Sequence, residues 1–197
     1  MANANERVRQ TFAESIRVKQ ATAEACSDEI AAAAVTLAEC FRAGGKLLIF
    51  GNGGSAADAQ HIASEFVGRY VHDRPALPAI ALTANSSEYT AIGNDYGFDH
   101  VFARGIEAHG RAGDVAIAVS TSGNSGNLVE AIHAAKDHGL TTIGLLGKGG
   151  GKLQLLVDQA IIVPSEETPR IQETHITIGH VLCALVEEAL FPEMSNR

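Results

Sequence analysis

The chain has 197 residues, 46% of them hydrophobic and only 5% aromatic, with no Trp and a formal net charge of −8. That length accommodates one domain with a substantial core, and the acidic balance excludes a general nucleic-acid binder, which needs a basic surface to release counterions. No apolar run approaches the ~18 residues of a membrane span, and residues 1–30 lack the apolar stretch of a secretory leader, so a soluble, cytoplasmic protein without membrane partners is expected.

Residues 5–25 place Val8, Phe12, Ile16 and Val18 at roughly helical spacing among charged residues. A second, Ala-rich helix is expected over 22–41, with Ser27-Asp28-Glu29 as an N-terminal cap between the two and Gly44-Gly45 as the stop. The first helix precedes any strand and has no sheet to pack on, so the helical extension over 1–43 is expected to pack against another subunit. An apolar run over 47–50 reads as a buried strand that turns through Gly51-Asn52-Gly53-Gly54-Ser55 into an Ala-rich helix. Further strands are expected over 77–82, 114–119, 141–146 and 159–163. Helical segments are expected around Ala91 to Asp95, over 127–138 and over 170–191. Strands alternating with helices, without hairpin turns, imply a parallel sheet covered on both faces. No linker divides the chain, so 1–197 is read as one α/β domain. Cys26, Cys40 and Cys183 form no CxxC pair and sit in apolar helical contexts, as reduced core or interface residues do.

Two strand–loop–helix units share a chemistry. Gly51 to Ser55 and Ser120-Thr121-Ser122-Gly123-Asn124-Ser125 both offer hydroxyls or glycine amides at a helix N-terminus, where the dipole favours an anion. In an open parallel sheet, ligands gather beyond the strand C-terminal ends. Each loop alone also suits ordinary turn and cap chemistry; two together point to a phosphate grip without Lys or Arg. Neither has the Gly-Lys-Ser/Thr ending of a nucleotide P-loop. His61 and Glu65, four apart on one helix face, can share a metal, relay a proton or simply pair at the surface. Gln172, His175 and His180 follow on the last helix. Gln172 and His180 are eight residues apart, about 12 Å along an ideal axis, which is awkward for one centre. An N,O set of this kind is compatible with Zn²⁺ without being diagnostic of it. His72, His100, His109, His133 and His138 fit no ligand pattern, and Lys148 and Lys152 flank a glycine run that reads as a solvated loop.

The run from Gly51 to His61, with Ser120 to Ser125 and Arg170-Ile171-Gln172-Glu173-Thr174-His175, resembles the sugar isomerase (SIS) domain family and, within it, the phosphoheptose isomerases. The resemblance covers nearly the whole chain. It implies a flavodoxin-like SIS fold with a five-stranded parallel sheet, helices on both faces and two leading helices, assembled as a homotetramer with shared active sites. It also implies that Asn52, Gly53, Gly54, Glu65, Asn94, Asp95, Ser120, Thr121, Ser122, Ser125 and Gln172 hold a sugar phosphate. His61, Glu65, Gln172 and His180 are the implied ligands of one Zn²⁺ per subunit. The family pattern sometimes has an acidic residue where this chain has Pro169.

The activity so implied interconverts sedoheptulose 7-phosphate and D-glycero-D-manno-heptose 7-phosphate by a zinc-assisted enediol route, the first step toward ADP-heptose and the lipopolysaccharide core. Glu65 and His180 are the expected catalytic pair, a carboxylate base and an imidazole acid. Asp58 and Arg69 are weaker candidates near the same helix. The alternative is the non-enzymatic initiator-associating SIS protein, which binds DnaA to regulate replication initiation. Glu65, Gly54 and Ser122, present together, argue against it.

Overall fold

The computed structural model describes residues 2–193. Helix α1 (Ala2–Arg42) leads into β1 (Leu47–Gly51), α2 (Gly54–Val67), β2 (Ala79–Ala81), α3 (Ser86–Asp95), α4 (Val101–His109) and β3 (Val115–Ser120). The chain continues through α5 (Gly126–Asp137), β4 (Thr141–Leu146), β5 (Gln159–Ile162) and α6 (Thr168–Leu190), with short 3₁₀ turns after α3 and between β4 and β5. The strands form one sheet in the order β2-β1-β3-β4-β5, and every neighbouring pair is parallel. This is the flavodoxin-like order, whose direction of winding reverses between β1 and β3.

Strand alternation feeds two cores. Leu47, Ile49, Val115, Ile117, Val119, Ile143 and Leu145 face α1, α2 and α6, where Leu37, Phe66, Ile178 and Leu182 close over them. Leu48, Phe50, Ala116 and Ala118 face the opposite way, beneath Phe102 and Ile106 of α4 and Leu128 and Ile132 of α5. β1 and β3 are buried along their whole length, so they read in the sequence as continuous apolar runs rather than alternating ones. β2 is only three residues long and lies at the edge directly after Pro78, a residue that cannot donate to a ladder.

The expected pair of leading helices is one continuous helix. Ser27, Asp28 and Glu29 have the composition of a cap, but no Gly or Pro interrupts residues 3–42. Inside the helix the Ser27 hydroxyl donates to the carbonyl of Ala23, one turn back, instead of capping a new start. Packing decides the matter: Val18, Cys26, Ile30, Ala33 and Leu37 form one buried face across the expected break. The first turns carry Val8, Phe12 and Ile16, all more than half exposed. α4 is the element that the sequence pattern did not announce. No helix among the described residues is long and apolar enough to cross a membrane. The three cysteines are free and buried, and burial pushes the Cys40 thiol up to about 11 and Cys183 up to about 12.

His175 belongs to this core rather than to a ligand site. It is fully buried, and its Nε2 lies 3.0 Å from the Leu146 carbonyl, so it donates there and ties α6 to the end of β4. Burial lowers its pKa to about 4, against the smaller raising effect of that carbonyl. The folded value lies below the unfolded one of about 6.5, so the unfolded chain binds the extra proton. His175 therefore contributes stability that is complete above about pH 6.5 and is lost as the pH falls toward 4, in total about 3 kcal/mol. Urea unfolding at several pH values between 7 and 4 should show that decline; a flat profile over this window would contradict it.

Candidate active site

The site lies at the C-terminal ends of β1 and β3, beside the switch point. Two loops meet there because the two strands are direct neighbours, with Gly51 opposite Val119. Gly53 precedes α2 at φ 58°, a conformation that β-carbon sterics disfavour. On the other strand, the Ser120 hydroxyl accepts the Gly123 N–H at 3.0 Å. Ser125 stands at the N-cap of α5 with no side-chain capping bond, which leaves its hydroxyl available. The amides of Asn52 and Asn127 exchange two hydrogen bonds of 2.9 Å and pin the loops together. Asn127 is buried and was not singled out by the sequence pattern.

Between the loops is a hollow of about 80 Å³ lined by Asn52, Ser55, Val119, Ser120, Thr121, Ser122, Ser125 and Gln172. Its size suits a phosphate group, and the N-termini of α2 and α5 both open toward it. Gln172 reaches it from α6 by lying against Gly54: a β-carbon at Gly54 would stand 2.5 Å from the Gln172 Nε2. Gly54→Ala should therefore leave the fold intact, since Ala is the better helix former, yet displace the amide. A loss of about a hundredfold in kcat/KM is the scale expected from a misplacement of this kind. Wild-type turnover by Gly54→Ala would show that the Gln172 position is immaterial.

The second half of the site is a cluster on α2 and α6. His61 Nε2 lies 3.1 Å from Glu65 Oε1, and His180 Nε2 lies 3.4 Å from His61 Nε2. One ligand atom from each of the three falls within 4.8 Å of the others. Two imidazoles and a carboxylate in such an arrangement fit a borderline-soft divalent cation. The helices approach closely at this level because of Gly179, where a β-carbon would meet Ile62 Cδ1 at 2.5 Å. Tyr70 stacks on His180, with ring centroids 5.5 Å apart.

A buried ion pair fixes that corner. Arg74 Nε donates to Glu187 Oε1 at 2.9 Å, with the two side chains 0% and 2% exposed. The same carboxylate accepts the N–H groups of Tyr70, Val71 and His72. Burial alone would raise the Glu187 pKa; those three amides and the guanidinium outweigh it and hold the carboxyl below its usual range. Arg74 also donates to the carbonyls of Glu65 and Phe66. The segment after α2 is thus tied to α6, and Tyr70 and Glu65 are held by it. Nothing in the local sequence pattern marked Arg74 and Glu187, which are 113 residues apart.

Other expected residues lie elsewhere. Gln172 is two turns before His180 and lines the serine pocket. Asn94 and Asp95 are exposed at the end of α3, bonded to each other at 2.7 Å and outside the pocket lining. Asp58 lines a hollow next to Gly54, Gln172 and Glu173. Burial raises its pKa against the opposing pull of His61, and its Oδ2 has no partner among the described residues. Arg69 is exposed and, among the described residues, donates to the Val71 carbonyl.

The SIS domain model matches residues 11–147, and with the fold and the hydroxyl-lined pocket this defines the chain as a sugar-phosphate protein of the SIS family. The phosphoheptose isomerase of Rhodospirillum rubrum is 57% identical over 165 residues, 84% of this chain and 88% of the relative. That of Aneurinibacillus thermoaerophilus is 51% identical over 192 residues, 95% and 96% of the two chains. The solved phosphoheptose isomerase from Neisseria gonorrhoeae superposes with a TM-score of 0.89 at 46% identity, covering 94% of this chain and 99% of the other. The chain belongs to the phosphoheptose isomerase family and is an aldose–ketose isomerase acting in heptose metabolism.

Proposed function

We propose that the chain interconverts sedoheptulose 7-phosphate and D-glycero-D-manno-heptose 7-phosphate, ahead of ADP-heptose and lipopolysaccharide core synthesis. The observation that carries this reading is the spacing of the two half-sites along α2. Seven residues separate Gly54, at the serine pocket, from His61, at the cluster, which is about 10 Å of helix. An extended sugar chain with its phosphate in the pocket has its carbonyl end near the cluster.

Ser120, Thr121, Ser122 and Ser125 hold the phosphate through hydroxyls and helix amides. Asn52, Gly53, Gly54 and Gln172 contact the sugar chain. Glu65 carries the proton between C1 and C2, and His180 moves the proton between the two oxygens, as a carboxylate and an imidazole at this separation can. The cluster suits Zn²⁺, held by His61, Glu65 and His180, with Gln172 as the fourth donor of the set. When bound, the metal supplies Lewis-acid polarisation of the sugar oxygens. The exposed row Val8, Phe12 and Ile16 on α1, and the place of Asn94 and Asp95 outside the pocket lining, support a homotetramer in which neighbouring subunits complete each site; a monomeric mass in light scattering would contradict it. Buried, protonated thiols suit the reducing cytoplasm.

The test is NMR observation of each heptose 7-phosphate with the zinc-loaded protein in deuterated water. Conversion with deuterium entering at the carbon next to the carbonyl is expected. Binding of DnaA without turnover would favour the initiator-associating reading instead.

A further inference from the structure

The glycine-rich segment between β4 and β5 takes no part in the chemistry assigned above, yet it packs directly against the back of the serine loop. Gly123 has φ 63°, and a β-carbon there would stand 1.9 Å from the Gly150 carbonyl oxygen. A β-carbon on Gly151 would lie 2.5 Å from the Ser122 oxygen and 2.7 Å from the Asn124 Nδ2. Two backbone segments at this separation leave no room for side chains between them.

Asn124 joins the two. Its Nδ2 donates to the Ser122 carbonyl at 2.9 Å, its Oδ1 accepts the Lys152 N–H at 3.1 Å, and its own N–H reaches the Ser122 hydroxyl at 3.3 Å. The Leu153 N–H adds a 3.0 Å bond to the Gly123 carbonyl. Lys152 therefore takes part through its backbone, while the exposed Lys148 sits on the far arm of the loop at φ 48°. We infer that Asn124 is a positioning residue: it clips the serine loop onto the β4–β5 segment and presets its amides and hydroxyls for a phosphate. The proposal rests on the reading of Ser120 to Ser125 as the phosphate grip. It assigns the glycine segment the role of a rigid template and gives the Lys148 charge no part in binding. Preorganisation of this kind strengthens binding by removing the cost of ordering the loop.

The test uses the full chain with zinc and a heptose 7-phosphate substrate, with inorganic phosphate as competitor. Asn124→Ala is expected to raise the KM and the phosphate inhibition constant together by about tenfold, with kcat changed by less than about twofold. Lys148→Ala is expected to leave both constants at wild-type values. Thermal unfolding of each variant reports whether the fold is retained. If inorganic phosphate competes with the wild type but Asn124→Ala leaves both constants unaltered, the positioning role is overturned and the phosphate reading stands. A tenfold rise in Lys148→Ala overturns the template in favour of a charged grip. If phosphate does not compete even with the wild type, the phosphate reading falls and the proposal falls with it.

Discussion

Glu65→Gln is expected to lower kcat for heptose 7-phosphate isomerisation by about a thousandfold, within the range that a positioned general base supplies. Gln has the same shape, and one of its amide atoms can still face His61 where the Glu65 oxygen now lies at 3.1 Å. The fold has little reason to respond, because the Glu65 carbonyl, not its side chain, is what Arg74 holds. What disappears is the proton acceptor. Deuterium incorporation from solvent should fall in step with turnover, while KM changes little. His180→Gln should behave similarly, although Tyr70 loses the ring on which it stacks. Metal content has to be measured on both variants, because each removes a member of the cluster. If both keep near-normal activity with zinc retained, the assignment of base and acid is wrong.

Glu187→Ala is expected to cost about 3–5 kcal/mol, because it leaves the Arg74 guanidinium charged and buried without its partner. For a chain of this length that corresponds to a fall in melting temperature of about 10 °C. The same change frees the N–H groups of Tyr70, Val71 and His72, so activity should fall along with stability as Tyr70 leaves His180. A double variant, Arg74→Met with Glu187→Leu, removes both charges and should lose less than the single one, since two apolar side chains demand no desolvation of an ion. Differential scanning calorimetry on the three proteins decides this. Equal stabilities for wild type and Glu187→Ala would mean that the pair contributes only geometry.

The parts of the site that follow a strand were legible because their signals are local. A fully buried strand must be apolar throughout, so the runs ending at Phe50 and Val119 stood out. A chain that turns sharply into a helix above a strand end must use Gly, Asn and Ser, so both loops were marked. The pairing of His61 with Glu65 needed only helical spacing. The continuity of α1 was harder to read. A Ser-Asp-Glu run is a cap in one context and ordinary helix in another, and the apolar face from Val18 to Leu37 chose the second.

Composition and periodicity thus determined a parallel α/β sheet with an anion loop after each of two buried strands, and a His–Glu pair further along the helix that the first loop opens; that the two strands are neighbours came from the fold. Periodicity left His175 and His180 equal and only the family resemblance pointed to His180; the tertiary structure puts His180 beside that pair and His175 against the Leu146 carbonyl. The reason is the close approach of α2 and α6 at Gly179 against Ile62, which brings His180 out beside His61 while turning His175 into the core. It also decided that Gln172 faces the serine pocket, that Arg74 and Glu187 brace the cluster, and that Asn124 ties two loops from separate crossovers. Each depends on residues brought together by packing across the sheet and between helices, and such contacts leave no periodic trace in the order of the amino acids.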